Sequence, residues 1–146
     1  MCRKKGLAAF NLEKADIVIL GTFPSDTSIT MKKYYSSPRN HFWCLLSLDD
    51  LKKLKIGLWD VIESCKRENG SADKNIKEPK YNDLCALRGK KILFNGKRAY
   101  EYFLTAQNKQ KIDFKVSKKQ ILPSSSSASR VDFQTKKKKW DKIIGK

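Results

Sequence analysis

Short apolar runs separated by polar stretches set the predicted order of elements along this chain. Residues 16–21 and 91–94 are apolar runs that stop at a glycine or at Asn95-Gly96, as buried strands do when they open into a loop. Residues 57–62 and 116–122 predict two further strands. Residues 60–65 leave an alternative open, because they could equally begin a helix.

Helical spacing of apolar residues lies between these strands. It predicts helices over residues 40–50, with Asn40 able to act as the N-cap, over residues 99–104, and over the basic residues 136–144. Strands that alternate with helices predict a parallel sheet covered on both faces. The inward faces of the first and last helices would be formed by Phe42, Leu45, Leu46, Trp140, Ile143 and Ile144.

The linking segments are polar. Residues 68–80 contain the turn signal Asn69-Gly70 and predict a loop, residues 81–87 a short helix or turn, and residues 124–129 a serine-rich loop after a strand. The chain has 146 residues, 40% of them hydrophobic, which is enough for one domain with a core and too few for two. We therefore predict a single domain over residues 1–146.

Charge points to the class of partner. The chain carries 32 basic and 15 acidic residues, a formal net charge of +17. So large an excess repels itself unless a polyanion is close. The charge favours nucleic acid, whose binding should weaken steeply with salt. A basic surface that serves solubility, or association with the ribosome, is the alternative.

Membrane and metal chemistry are not indicated. No apolar run approaches the roughly 18 residues of a membrane span, and no apolar core of a signal peptide follows the basic N-terminus. We therefore expect a soluble, intracellular protein without a membrane partner. The cysteines never form a C-x-x-C pair, which favours buried free thiols over a metal or iron–sulfur site: they are Cys2, Cys44, Cys65 and Cys85.

Candidate chemistry is concentrated after the first predicted strand. Loops at the carboxyl ends of parallel strands are where open α/β sheets bind ligands. Aromatic rings beside Arg and Asn suit a flat, hydrogen-bonding, phosphate-linked ligand, so a nucleobase is the leading candidate. The segments in question are Gly21-Thr22-Phe23-Pro24, Tyr34-Tyr35, Pro38-Arg39-Asn40 and Phe42-Trp43.

These motifs and three later ones occur in the order found in hypoxanthine-DNA (deoxyinosine) glycosylases, a family of the uracil-DNA glycosylase superfamily. The chain resembles that family over roughly residues 15–145. Each motif is weak alone, whereas five in order are specific, with residues 34–43 counted as one motif. The resemblance implies a three-layer α/β/α sandwich with a short, mostly parallel four-stranded sheet. The later motifs are Gly57-Leu58-Trp59-Asp60-Val61, Phe94-Asn95-Gly96 and Leu122-Pro123-Ser124.

The resemblance also implies a reaction. Such enzymes flip a deaminated nucleotide out of the duplex and hydrolyse the bond between base and deoxyribose. They leave an abasic site and need no metal or cofactor. For this chain the resemblance predicts deoxyinosine as the substrate. We expect a monomer that acts on DNA containing deaminated bases.

The resemblance assigns the catalytic role to Asn40. Many superfamily members handle the attacking water with a polar residue before the first proline, or with a histidine at the late proline loop. Those positions here hold Phe23 and Leu122. In the hypoxanthine branch the Asn of Pro-Arg-Asn takes over, which matches Asn40. An amide can donate to one partner and accept from a water without titrating near neutral pH. Helix capping alone is the other interpretation.

Further roles follow from the same resemblance. Tyr35 matches the position whose ring stacks on the flipped base, and Asp60 the position that reads the base edge. The main chain of Gly21, Thr22 and Phe23 would line the pocket. A loop that enters the minor groove is matched by Ser124, Ser125, Ser126 and Arg130, and Arg39 is a further candidate for contact with the DNA backbone.

Other features leave alternatives open. The lysine run at residues 136–139 could contact the DNA backbone, form a solvated helix face, or serve as a nuclear-import signal. Ser25 and Ser37 replace a Gly and a His that are common in the family motifs, and the segment between Trp43 and Gly57 is shorter than usual. The alternatives are a uracil or mismatched-thymine DNA glycosylase, and a catalytically inactive nucleic-acid-binding protein of the same fold.

Overall fold

The computed structural model describes residues 2–146. Short 3-10 helices lie at Asp73–Asn75, Leu84–Leu87 and Lys118–Gln120. In chain order, the strands and α-helices of this part of the chain are β1 (Arg3–Lys5), β2 (Ile17–Gly21), α1 (Asp26–Met31), α2 (Phe42–Leu45), α3 (Leu48–Lys53), β3 (Ile56–Asp60), β4 (Ile62–Arg67), β5 (Ile76–Tyr81), β6 (Lys91–Asn95), α4 (Lys97–Gln110), β7 (Ile121–Leu122) and α5 (Phe133–Ile144).

A four-stranded sheet with the order β3-β2-β6-β7 is the centre of the fold, and its three pairings are parallel. The central strand β2 is apolar and buried, as a parallel strand covered on both faces must be. The register places Gly21 beside Asp60 and Asn95 beside Leu122. The carboxyl ends of the strands therefore open along one edge, where the candidate residues collect.

Two apolar cores cover opposite faces of this sheet. Val18 and Leu20 pack in one core with Phe103 of α4. Ile19 packs in the other core with Phe42 of α2 and Trp140 of α5. The split follows from the period of two along a strand, which sends successive side chains to opposite faces. The predicted three-layer α/β/α sandwich with a parallel four-stranded sheet is confirmed.

A second sheet, which the sequence pattern did not predict, places β4 between β1 and β5 in antiparallel pairing. β4 begins almost directly after β3, so the helical alternative for residues 60–65 is wrong. β5 lies within the segment predicted to be a loop. Three of its six residues are exposed and only Ile76 is buried, so the strand is held mainly by main-chain pairing and lacks the apolar alternation that would reveal it in the sequence.

Residues 40–50 do not form the single helix that the pattern predicts. α2 ends at Leu45, and Ser47 starts α3 with a capping box to Asp50, whose two hydrogen bonds measure 3.0 and 3.1 Å. The N-cap of α2 is His41 rather than Asn40. The predicted strand over residues 116–122 is also too long, because only Ile121–Leu122 pairs with β6.

The two longer helices lie where the pattern places them. α5 buries Trp140 and Ile144 as expected, but it also buries Lys136, which a basic run does not predict. The expectation of buried thiols holds for Cys65 and is wrong for the other cysteines, which are exposed: Cys2, Cys44 and Cys85. Within residues 2–146, none of the helices combines the length and apolar character needed to cross a membrane.

Candidate active site

A cavity of about 640 Å³ opens at the carboxyl edge of the parallel sheet. It draws residues from the carboxyl ends of all four strands or the loops that follow them, from the turn between β4 and β5 and from the segment before α2, which are far apart in the chain. The predicted site residues that line it are Gly21, Thr22, Phe23, Tyr35, Arg39, Asn40, Asp60, Ser124, Ser125 and Ser126.

Asp60 ends β3 at the cavity and is 4% exposed. Its Oδ2 atom is buried and has no hydrogen-bond partner among the described residues. Burial raises the pKa of Asp60 to about 7, the nearby Asp73 carboxylate adds to this rise, and the Arg67 guanidinium opposes it. A buried acceptor without a partner is costly to folding, so this carboxylate is suited to a ligand that brings a donor.

Tyr35 occupies a left-handed backbone conformation with φ of +55°, which is unfavourable for a bulky residue. Hydrogen bonds fix the main chain on both sides of it. The Trp43 indole N–H donates to the Tyr34 carbonyl at 3.0 Å, and the Ser36 N–H donates to the buried Ser28 hydroxyl at 3.0 Å. These bonds hold the strained residue at the cavity wall.

The Tyr35 ring stacks on Phe42, with ring centroids 4.2 Å apart and planes 15° from parallel. Its hydroxyl is buried and lacks a partner in the described part of the chain. Burial, more than the charge of Asp60, raises the pKa of the Tyr35 hydroxyl far above its usual value. The tyrosine is therefore a neutral aromatic surface at every pH of interest.

Asn40 lies just before α2 and lines the same cavity. Its side-chain oxygen accepts a hydrogen bond from the Phe42 N–H at 2.9 Å. This bond orients the carboxamide and leaves its NH₂ group for another partner. Asn40 thus supports the start of the helix although His41 holds the N-cap position, and the two interpretations of Asn40 are compatible in one geometry.

The serine-rich loop is fixed to the sheet by Asn95, the last residue of β6. The Asn95 amide donates to the Ser125 hydroxyl and accepts from the Ser125 N–H, both at 2.8 Å. The loop also passes close to Gly96, where a Cβ atom would lie 3.2 Å from the Ser124 Cβ. The segment before α2, on the opposite wall of the cavity, is joined to this loop by the His41 N–H, which donates to the Ser125 carbonyl at 2.9 Å.

Phe23 and Pro24 are held from behind by Arg67, a buried residue of β4. The Arg67 guanidinium lies 5.1 Å from the centre of the Phe23 ring and donates to the Pro24 carbonyl at 2.9 Å. A second bond of 2.9 Å joins it to Asp26. The unpredicted antiparallel sheet therefore shapes the loop that the first sequence motif occupies.

The cavity also contains residues that the sequence analysis missed. Asp73, in the turn between β4 and β5, lines it, and burial raises the pKa of this carboxyl against lowering contributions from Thr22 and Arg98. No local pattern marks Asp73 in the sequence, because it belongs to a polar stretch. Asn95 could have been found, since it ends a predicted strand at the same edge of the sheet.

Basic side chains surround this acidic interior. Arg39, Lys74 and Arg98 line the cavity and are exposed, so they are placed to meet an anionic backbone at its mouth. Arg130 is exposed and lies outside the set of lining residues, although it closely follows the serine loop. The structure thus brings together every predicted site residue except Arg130.

This fold and cavity define an α/β protein with a pocket for a flat, hydrogen-bonding group at the carboxyl edge of its sheet. Residues 8–144 match the model of the uracil DNA glycosylase superfamily. The chain belongs to that superfamily of DNA glycosylases.

Two relatives cover nearly the whole chain. The chain is 36% identical over 160 aligned positions to a hypoxanthine DNA glycosylase of Methanosarcina barkeri, and the match covers 94% of this chain and 96% of that protein. It is 35% identical over 161 aligned positions to a hypoxanthine DNA glycosylase of Methanosarcina acetivorans, and the match covers 97% of this chain and 98% of that protein.

A solved structure has the same fold. The solution NMR structure of a candidate uracil DNA glycosylase from Methanosarcina acetivorans superposes with a TM-score of 0.71 at 33% sequence identity. The match covers 98% of this chain and 97% of that one.

Proposed function

We propose that this protein is a DNA glycosylase that removes hypoxanthine from DNA by hydrolysing the N-glycosidic bond of a flipped deoxyinosine. One observation carries the proposal: Asp60, a buried carboxylate with an unpartnered oxygen, shares a cavity of about 640 Å³, large enough to admit a flipped nucleoside, with the Asn40 carboxamide. The names of the two relatives support the same substrate.

In this proposal Asp60 distinguishes hypoxanthine from adenine. Above its pKa of about 7 the Asp60 carboxylate is ionised and only accepts hydrogen bonds, and hypoxanthine presents an N1–H donor. Adenine presents a lone pair at N1, which would face the buried charge. A site that leaves its buried polar group unpaired with the wrong ligand discriminates strongly against that ligand.

Tyr35 and the first strand loop hold the base in place. The ring of Tyr35, supported by Phe42 on one side, stacks on the flipped base, and such stacking is worth about 1–3 kcal/mol. Gly21, Thr22 and Phe23 complete the wall, the glycine by letting Asp60 and Tyr35 approach the main chain closely.

Asn40 serves the reaction itself. Departure of the base leaves positive charge on the sugar, and a water must attack the anomeric carbon. The Asn40 carboxamide, oriented by its bond to the Phe42 N–H, places that water. Fixing the geometry of a reacting water removes part of the entropic barrier to hydrolysis.

The DNA backbone meets the mouth of the cavity. Arg39, with the hydroxyls of Ser124 and Ser126, holds phosphates beside the lesion, and Arg130 extends this surface. The buried Ser125, bonded to Asn95 through its hydroxyl and N–H, fixes the loop for these contacts. Phosphate contacts of this kind fix position rather than sequence. Because one chain supplies the whole cavity, we propose that the protein acts as a monomer and a single domain, inside the cell where DNA is repaired.

An oligonucleotide panel tests the proposal. Duplexes that carry one inosine, uracil, xanthine or G·T mismatch are incubated with the protein and then treated with alkali, which breaks the strand at abasic sites. We expect the fastest cleavage at inosine and none at adenine. Faster cleavage at uracil or thymine would establish the alternative substrate. Binding without cleavage of any duplex would establish an inactive DNA-binding protein.

A further inference from the structure

One lysine of the basic run at residues 136–139 is hidden from solvent. Lys136 is 0% exposed, whereas Lys138 and Lys139 are exposed. The Lys136 ammonium group donates to the Ser126 carbonyl at 3.2 Å and lies 3.1 Å from Nδ1 of His41. Lys136 therefore contacts both walls of the candidate active site from behind.

This burial is unfavourable for folding by itself. In the described residues no carboxylate lies within ion-pair distance of Lys136; the neighbouring Lys137, by contrast, pairs with Asp141 at 3.4 Å. Burial penalises the charged form of Lys136 and therefore lowers its pKa. A buried ammonium with only neutral partners costs stability rather than adding to it.

Lys136 connects the segment that contains Asn40 to the serine-rich loop on the opposite wall of the cavity. His41 directly follows Asn40, and its N–H donates to the Ser125 carbonyl at 2.9 Å. Lys136 adds a second link between the same two segments, through the His41 ring and the next carbonyl of the loop. Asn95 fixes Ser125 from the sheet side. Lys136 thus connects the segment that contains Asn40 to the serine loop from outside the cavity.

We propose that Lys136 is a positioning residue, which holds Asn40 and the serine loop in the geometry that cleavage requires through His41 and Ser126. The proposal rests on the role of Asn40 under the proposed function. It requires His41 to be neutral, with its proton on Nε2, so that Nδ1 accepts from the ammonium group.

Lys136→Met and Lys138→Met form a matched pair, because each removes one charge from the same helix. We expect Lys136→Met to slow single-turnover cleavage of the inosine duplex about tenfold or more, since small displacements of a catalytic group have large effects. Its affinity and salt dependence should match the unmodified protein. Lys138→Met should keep the wild-type cleavage rate.

A double-mutant cycle separates positioning from a general loss of structure. His41→Phe keeps an aromatic ring beside Phe133 but removes Nδ1. If the link works through His41, Lys136→Met should have a smaller effect in the His41→Phe protein than in the unmodified one. Equal effects in both backgrounds, or an effect of Lys136→Met confined to DNA affinity, would refute the positioning role.

The unmodified protein provides an independent measurement should Lys136→Met fail to fold. His41 is the single histidine of the sequence, so long-range ¹H–¹⁵N NMR spectra report its tautomer without overlap. We expect the proton on Nε2 and an accepting Nδ1. A proton on Nδ1 would exclude donation from the Lys136 ammonium group and overturn the proposal, whereas failure to cleave inosine would count against the proposed function and leave this result intact.

Discussion

Gly21 and Asp60 are register partners at the carboxyl ends of β2 and β3, and a Cβ atom on Gly21 would lie 2.6 Å from Asp60 Oδ1. The same atom would lie 3.1 Å from the Tyr35 hydroxyl. Only glycine allows the carboxylate and the ring to approach the main chain this closely. The glycine of the first motif therefore sets the positions of two proposed base contacts.

Gly21→Ala should displace Asp60 and Tyr35 and slow inosine cleavage about 100-fold, because the base contacts are misplaced. Single-turnover kinetics measure this effect. Gly57→Ala is a matched control: its Cβ would lie 3.0 Å from the Ala15 Cβ, toward the other end of the sheet. It should lower stability but largely keep the cleavage rate. Similar rates for the two variants would contradict a specific role for Gly21.

Asn40→Ala should reduce inosine cleavage about 100-fold or more, as removal of a positioned catalytic amide does elsewhere, while duplex affinity changes little. The variant also loses the bond to the Phe42 N–H, which should cost about 1 kcal/mol of stability. Ser47→Ala removes the cap of α3 at a similar cost and lies away from the cavity, so it should keep full activity. Unchanged turnover in Asn40→Ala would remove Asn40 from the mechanism.

Asp60→Asn should stabilise the protein at alkaline pH. The pKa of Asp60 is raised to about 7 in the folded state, against 3.8 ordinarily. Between these values the unfolded chain is ionised and the folded chain is protonated, so the native Asp60 loses stability as pH rises from about 4 to 7. Since one unit of pKa corresponds to about 1.4 kcal/mol, the variant should gain up to about 4 kcal/mol at pH 8 and little at pH 4. Thermal melts at both pH values measure it.

Asp50→Asn is the control of opposite sign. The Lys146 ammonium beside Asp50 holds the pKa of that carboxyl at about 2, and the capping bond with Ser47 contributes. That pKa is lowered, so the ion pair stabilises the fold at neutral pH and is lost as pH falls toward 2. Asp50→Asn should therefore melt at a lower temperature at pH 8. A shift in the same direction for both variants would contradict the burial penalty at Asp60.

Binding to undamaged duplex should weaken about tenfold or more as salt rises from about 50 to about 200 mM, because each neutralised phosphate releases counterions. Fluorescence anisotropy of a labelled duplex measures the slope. Arg39→Gln should reduce the slope by about one ion. Affinity that stays constant over this range would contradict phosphate binding by the basic mouth of the cavity.

Much of the fold could be predicted from the sequence because burial leaves a local record. The apolar run of β2 and the period of α5 identify a covered parallel sheet and its helices, since both are direct consequences of where side chains point. β5 has no such record. Only Ile76 of its six residues is buried, and the strand is held mainly by the pairing of its main chain with β4. The sequence pattern also missed the division of residues 40–50 into α2 and α3. Ser47 caps α3 only because the chain has already turned there, and that turn depends on the tertiary structure.

The candidate site divides in the same way. The sequence by itself predicted which residues would form the site, because Gly21, Tyr35, Asn40 and Asp60 lie in motifs that resemble those of a known family. Only the tertiary structure decided that Asp73 joins them, that Arg67 supports Phe23, and that Lys136 is buried behind Asn40. These relationships join segments 13 to 96 residues apart in the chain, and charge, burial and distance between such segments arise only when the layers pack together.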